Sequence, residues 1–533
     1  MVLTKDKNKY RAYSILREYI PFDTNDGDDK IIELATNLFE KKIKNISGKK
    51  LLSSVINDVL KNVYSEKYER FLFKRTYRIE EEAILYPYGF LINHSYLAYY
   101  NKECILINNQ NTINQLKKIS EAIYYLKDIK RYSIYEYMNT TTPATFGEDL
   151  SKDLSNFYFG FFPQYSLNYI EFLLTDIFKK KFTEYKKELE FQIIYDICQM
   201  VKENNLLFDE ILHLETIYKK YKKYISKTNF YTFIDHFTYT EDKKNEKFDL
   251  AHLNYLFVKD GLDYKVPLKA MNIIGLYKQA YVYLWEFDNK LSSKIGPDIE
   301  RAVLNLLIDK NFNCYSGHWF DEINEKWYES DLILNLDKTI VLIEIKKASM
   351  NLKSKNGDIY NSFIDIKKSF LESQVQALRL KARLKKNNFI KLHTNKTKDS
   401  NFKEIQLDDK KIITLSLTLE DFDILHCTTF CSNLIKNSLF IDEVSTEPKQ
   451  KKEEENINKV ISELKKIDLD LEVLDDSNID SRYHGLLFFN IQFLYHLLKT
   501  TENSIELEQK LISFCCLMID EDIYKNLEYI INN

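Results

Sequence analysis

Asp331, Glu344 and Lys346 lie in WYESDLILNLDKTIVLIEIKKAS, residues 327–349, three charged side chains inside a pattern that otherwise reads as a buried β-hairpin. Side chains alternate faces along a strand, so Glu344 and Lys346 share one face while Ile343 and Ile345 point the other way into a core. On the preceding strand Asp331, Ile333 and Asn335 share a face. A two-residue loop at Asp337-Lys338 sets Leu336 opposite Thr339, Asp331 opposite Glu344 and Glu329 opposite Lys346. Directly opposed side chains have Cβ atoms ~5 Å apart, and like charges there are destabilising. Two carboxylates so placed need a cation, and a divalent metal held by one or two carboxylates with retained water supplies it. Lys346 beside it would orient an attacking water or stabilise a charged phosphate transition state. The bland reading is an edge hairpin with charges on its solvated face. Asp-Lys is also a weaker two-residue turn than Asp-Gly, and another loop length would shift the register.

The elements that must position these residues follow from periodicity. A boundary is expected near LSSKIGPDIE, residues 291–300, where Gly296 and Pro297 precede a helical pattern and proline suits a first turn. From there the order reads helix (about 297–309), strand (312–316), strand (328–336), strand (339–347), long helix (358–386) and strand (411–418). That order describes an α+β or α/β domain with a mixed sheet over 291–440. Residues 1–290 read as a large, mainly helical region, with apolar positions three or four apart in DDKIIELATNLFEKKIKNI and KELEFQIIYDICQMVKENNLLFDEIL. The stretch 72–108 is richer in aromatic and β-branched residues, which favours a few strands. Residues 441–460 read as a linker or solvated helix start. A small helical region over 461–533 follows, with SRYHGLLFFNIQFLYHLLK its strongest amphipathic segment.

The hairpin resembles the core of the PD-(D/E)xK, or restriction-endonuclease-like, nuclease superfamily, with Asp331 as first acidic residue and Glu344-Ile345-Lys346 as the E-x-K element. That family's fold is a helix, a three-stranded antiparallel meander, a helix and a further strand, and the order read over 297–418 is similar. The resemblance covers about a quarter of the chain. It implies that Asp331, Glu344 and the backbone carbonyl of Ile345 hold Mg²⁺, with Mn²⁺ as substitute. Glu300 in GPDIERAVLNLLIDKNF would join that site, with Asp298 as alternative. It also implies a glutamine on the following helix that orients Lys346 or the phosphate. Both Gln374 and Gln376 are candidates in KSFLESQVQALRLKARL, and about 200° of helix separates them, so only one faces the site. Ser-Asp stands where the family name has Pro-Asp, but that proline is not a ligand.

Composition bounds the rest. At 533 residues, a prior of ~150 per domain suggests two to four domains. With 44% hydrophobic and 29% charged residues, the disordered and membrane classes are excluded. Abundant Tyr, Phe, Lys, Asn and Ile read as the codon choice of an A/T-rich genome, a low-GC bacterium or its mobile element. Scarce Gly and Pro favour helices. The N-terminus lacks a secretory h-region and no run of ~18 apolar residues occurs, so a cytoplasmic protein is expected. Seven scattered Cys fit reduced, buried thiols, and Cys427 and Cys431 have no second pair at zinc spacing.

Net charge is −4, yet residues 346–411 hold 17 Lys or Arg against 7 Asp or Glu. Such an excess neutralises phosphates in a salt-dependent way, or is a solvated helix face. The runs FKKKFTEYKKE (178–188) and YKKYKKYISK (218–227) could add nucleic-acid contacts, although core packing is the commoner role for their aromatics. P-loop, dinucleotide-binding, zinc-protease and nucleophile-elbow motifs are absent. His393, His426, His484 and His496 stand alone in amphipathic segments, and His318 in SGHWFDE is expected in a loop near the sheet.

These readings converge on a metal-dependent endonuclease acting on nucleic acid, with DNA favoured and RNA left open because a phosphate-and-metal site does not read the sugar, and without a membrane partner. Cutting two strands with one site per chain favours a homo-oligomer. The architecture resembles stand-alone bacterial antiviral effectors, which implies a phage-derived trigger and a sensing or restraining role for the helical region. The rivals are a catalytically degenerate member of the fold that binds nucleic acid or protein, and a helical regulatory protein whose hairpin charges are solvent-exposed.

Overall fold

The computed structural model describes residues 2–23, 26–72, 86–100, 109–127, 155, 158–203, 208–243, 254–398, 401–426, 428–441, 451–475, 478–516 and 522–532. They fall into an α+β protein of two compact units, one of the described residues up to Ser293 and one from Lys294 onward.

The first unit is mostly helical, as its periodicity predicts. Ile31, Ala35, Phe39 and Ile43 bury one stripe of the helix Asp28–Ile43, the spacing that turns a single face to the core. The unit also holds a four-stranded sheet, ordered Phe208–Ile211, Asp263–Leu268, Phe257–Asp260 and Thr238–Tyr239. In the stretch expected to favour strands, Tyr88–Leu97 is a helix and Arg70–Phe71 a two-residue strand, while 73–85 and 101–108 lie outside the described residues. The two lysine runs are laced with ion pairs, among them Lys181 to Glu184, Lys187 to Glu190, Lys220 to Asp196 and Lys227 to Glu215.

Helix α1, Leu291–Ile308, begins in the last residues of the first unit and leads into the second, and it runs through Pro297 instead of starting there. An interior proline forfeits a helix hydrogen bond. Here Leu291, Ile295, Ile299 and Ala302, spaced three or four apart on both sides of it, are all buried, and that stripe outweighs the loss. An antiparallel meander follows: β1 (Cys314–Asp321), β2 (Lys326–Asn335) and β3 (Thr339–Lys346). Then comes one helical run, α2 (Ile359–Ile366), a π-helical turn (Lys367–Leu371) and α3 (Glu372–Asn387). Asp358 caps its start by accepting the Asn361 N–H, and Asn388 ends it in the left-handed region at φ 63°.

Strands β4 (Phe389–His393), β5 (Phe402–Gln406) and β6 (Lys411–Thr418) precede helix α4 (Lys451–Asp475), and β7 (Leu486–Asn490) leads directly into α5 (Ile491–Lys499). The seven strands make one mixed sheet in the order β5-β4-β1-β2-β3-β6-β7, with β3, β6 and β7 parallel. Its core packs Trp319, Ile333 and Leu342 of the sheet against Ala377, Leu380 and Leu384 of α3.

Two parts of this sheet depart from expectation. The β4–β5 hairpin lies where the sequence offers no strand pattern, and the amphipathic segment over 481–499 divides, its middle forming β7 and its second half the expected helix, α5. All five β7 residues are buried, and a short run apolar on every face cannot be assigned to helix or strand by periodicity. Among the described residues no helix is long and apolar enough to cross a membrane.

Candidate active site

The hairpin has the two-residue turn the spacing predicts: Leu336 N–H donates to Thr339 O at 2.9 Å. Glu508 steadies this weak turn by accepting the Lys338 N–H at 2.8 Å. The register then runs from Asn335 opposite Ile340 to Leu332 opposite Ile343. On the other edge of β2, Tyr315 pairs with Ile333 but Gly317 with Ser330. Asp331 and Leu332 therefore oppose Ser316 alone, a β-bulge, the device that re-aims a side chain and ends local pairing.

Past Leu332 the two strands part. In a continued ladder the Ile345 N–H would reach the Ser330 carbonyl, but it donates to Asp331 Oδ2 at 2.7 Å. Strand β3 stays extended to Lys346 because β6 pairs with it, placing Glu344 beside Ser416. The bulge also changes the parity of β2. Tyr328, not Glu329, lies on the α3 side of the sheet; the expected pairing of Glu329 with Lys346 does not form, since the β2–β3 register ends at Leu332, and on the other edge of β2 Glu329 opposes His318. His318 is thus in β1 and not in a loop. Gly317 is required there, since a Cβ would sit 2.7 Å from the His393 carbonyl oxygen.

Asp331 and Glu344 are near enough for their charges to interact, although the β2–β3 register ends at Leu332 opposite Ile343, one pair short of the direct opposition expected. The Asp331 carboxylate acts electrostatically on the Glu344 carboxyl. Glu344 is 2% exposed, and its Oε2 accepts no hydrogen bond, with Lys346 Nζ 3.7 Å away. Burial first, then the adjacent Asp331 charge, hold the Glu344 carboxyl well above the usual carboxylate range. Burial likewise raises Asp331, opposed by Lys346 and the Ile345 N–H. Glu300 on α1 is pushed up to about 7, by burial and then by Asp331 and Glu329. It therefore belongs to the same electrostatic cluster. Asp298, the alternative, is buried with Arg301 Nη2 3.6 Å from its carboxylate.

The two glutamines separate as helix geometry requires. Gln376 Oε1 accepts from Lys346 Nζ at 2.6 Å, so this is the residue that faces the site. Gln374 is fully buried and structural. Its amide donates to Ser416 Oγ at 2.9 Å and Leu487 O at 3.3 Å, and accepts from Thr414 Oγ1 at 2.8 Å.

Among the described residues no three His, Cys, Asp or Glu side chains converge into a ready-made metal cage. The available donor set is smaller: the Asp331–Glu344 pair and the Ile345 carbonyl. A buried carboxylate oxygen without a hydrogen bond is a donor that a hard cation fits, and Mg²⁺ is usually held by one or two carboxylates plus water.

Part of the basic excess after Lys346 is matched by acids of α4 and the sheet. Lys367 lies 3.6 Å from Glu453, Arg379 2.8 Å from Glu463, and Arg383 3.0 Å from Asp321 and 3.5 Å from Asp470. Sequence reasoning missed Tyr328, Arg379 and Lys459 beside Lys346. The one available signal was that Arg379 lies three residues after Gln376, on the same helix face.

Comparison of the chain with protein-family models, with curated proteins and with solved structures gave no match.

Proposed function

We propose that the second unit is a metal-dependent phosphodiesterase that hydrolyses nucleic acid, built on a restriction-endonuclease-like core. The observation that carries this reading is the buried Asp331–Glu344 pair beside the Lys346–Gln376 hydrogen bond, each residue of which the E-x-K resemblance had singled out. Helix α1, the β1–β3 meander, α3 and β6 follow the element order of that family.

In this reading Asp331, Glu344 and the Ile345 carbonyl hold Mg²⁺ or Mn²⁺, with Glu300 nearby. The bound ion would polarise the phosphate and lower the pKa of a water. Gln376 fixes the Lys346 ammonium, which orients the water and offsets charge on the phosphate oxygens. The water oxygen bonds to phosphorus as one P–O ester bond breaks, and its proton leaves to solvent or a carboxylate while the alkoxide is protonated. DNA is the favoured substrate, and the helical first unit fits the effector architecture in which such a unit is restrained until triggered.

The test incubates purified full-length protein with supercoiled plasmid, linear DNA and single-stranded RNA in Mg²⁺, Mn²⁺ or EDTA, beside Glu344→Ala/Lys346→Ala. Metal-dependent cutting lost in the double variant supports the reading. Absence of both cutting and calorimetric Mn²⁺ binding overturns it in favour of a degenerate binding module. The lack of a three-carboxylate group among the described residues is the observation on that second side.

A further inference from the structure

A cavity of about 460 Å³ opens beside Lys346, walled by β2 and β3, by α3 and by α4. Its volume lies in the ~300–1,000 Å³ range of small-molecule and cofactor sites. The Lys346–Gln376 pair lines it, so it adjoins the candidate active site.

The chemistry of the walls is specific. The Tyr328 ring stacks on Trp319, with centroids 5.1 Å apart and planes 29° apart. The Arg379 guanidinium carbon lies 4.3 Å from the Tyr328 ring centroid. Trp319, Tyr328 and Arg379 thus form a series of planar groups whose guanidinium end borders the cavity. Glu463 holds Arg379 at 2.8 Å and matches its charge, so what Arg379 adds is chiefly an oriented plane. Lys326, Lys346 and Lys459 add cationic groups around it.

A planar π-faced group joined to an anion fits this lining. Guanidinium planes stack on nucleobases, and lysines neutralise phosphates. We infer that the cavity takes one unpaired nucleotide of the substrate strand, its base laid on the Arg379 plane and its phosphate towards Lys346. This rests on the phosphodiesterase reading and narrows its substrate to single-stranded or locally unpaired polynucleotide. A base still stacked in a duplex has neighbours above and below it and cannot lie between three walls. The lining reads base plane and phosphate, which DNA and RNA share.

The test measures fluorescence anisotropy of dye-labelled single-stranded DNA, single-stranded RNA and duplex DNA of equal length, on full-length protein in EDTA. Arg379→Lys keeps a cation for Glu463 but removes the plane. It should weaken single-strand binding roughly 5- to 150-fold and leave the melting temperature unchanged. Lys459→Ala, at an exposed position on α4, should lower the salt slope by about 0.7. Comparing the DNA and RNA arms identifies the strand preferred.

Single-strand binding that Arg379→Lys does not alter, or equal binding of duplex, overturns the inference. A parallel Mn²⁺ cleavage assay separates the two readings. Cleavage with Arg379-independent binding rejects only the cavity's role. Arg379-dependent binding without cleavage or metal binding keeps a nucleotide cavity and rejects the enzyme.

Discussion

Asp331 Oδ2 accepts the backbone N–H of Ile345 at 2.7 Å, tying the bulge in β2 to the E-x-K strand where the ladder between them ends. Asp331 therefore has two duties, one set by its shape and one by its charge. Asp331→Asn keeps an acceptor for Ile345 and should fold at least as stably as wild type. Asp331→Ala strands a partly buried N–H and should cost about 1–3 kcal/mol in urea denaturation. Equal stability of the two variants would place the hairpin charges in solvent, as the regulatory-protein reading requires.

Glu344 is buried beside a second carboxyl and favours its neutral form in the fold. A group raised in this way contributes stability below its unfolded pKa, and that contribution is lost as pH rises. In EDTA at pH 7.5, Glu344→Gln should therefore melt higher than wild type. Added Mn²⁺ should reverse the order by stabilising only the wild type, by about 2.7 kcal/mol at one hundred times Kd. Scanning calorimetry with and without the ion reads both effects.

Glu300, raised from 4.5 to about 7, gives a graded version of the same effect. Its destabilising influence is absent below about pH 4.5, grows as pH rises towards 7 and levels off above. The melting-temperature advantage of Glu300→Gln in EDTA should follow that course. A constant difference between pH 4 and pH 8 would remove Glu300 from the cluster.

Gln374 and Gln376 should separate cleanly. Gln374→Ala leaves Thr414 and Ser416 short of a buried partner and should lower stability by roughly 1–3 kcal/mol. Gln376→Ala should leave stability nearly unchanged. It should reduce cleavage, by about tenfold or more, through a freed Lys346. Denaturation and cleavage rates measured on both variants decide it.

Alternation and turn length made the hairpin legible, and its register holds from Asn335 to Leu332, but Asp331 approaches Glu344 from a bulge one pair beyond the end of that ladder. The bulge was not legible, because Ser330 and Asp331 are both polar and an added residue there leaves no break in the pattern. That one residue moved Tyr328 onto the cavity side and Glu329 off it. Helix α4 was half legible for a different reason. Its first ten residues, with runs of Lys and Glu, read as a linker or solvated helix start ahead of the expected helical region, while Ile457, Ile461, Leu464 and Leu471 bury one face along its length and Glu463 meets Arg379 of α3. The choice between two glutamines was narrowed by helix geometry, but only packing against β6 and β7 could decide it.

Strand β7 is the last strand among the described residues and pairs with β6, the neighbour of the E-x-K strand. Synthesis runs from the N-terminus, so the ribosome has added Asn490 before this sheet can gain its final edge. Until then Gln374 has no Leu487 carbonyl to reach, and β6 stands as an open edge. A polypeptide ended before Leu486 would carry Asp331, Glu344 and Lys346 and yet lack the strand that covers the far edge of β6.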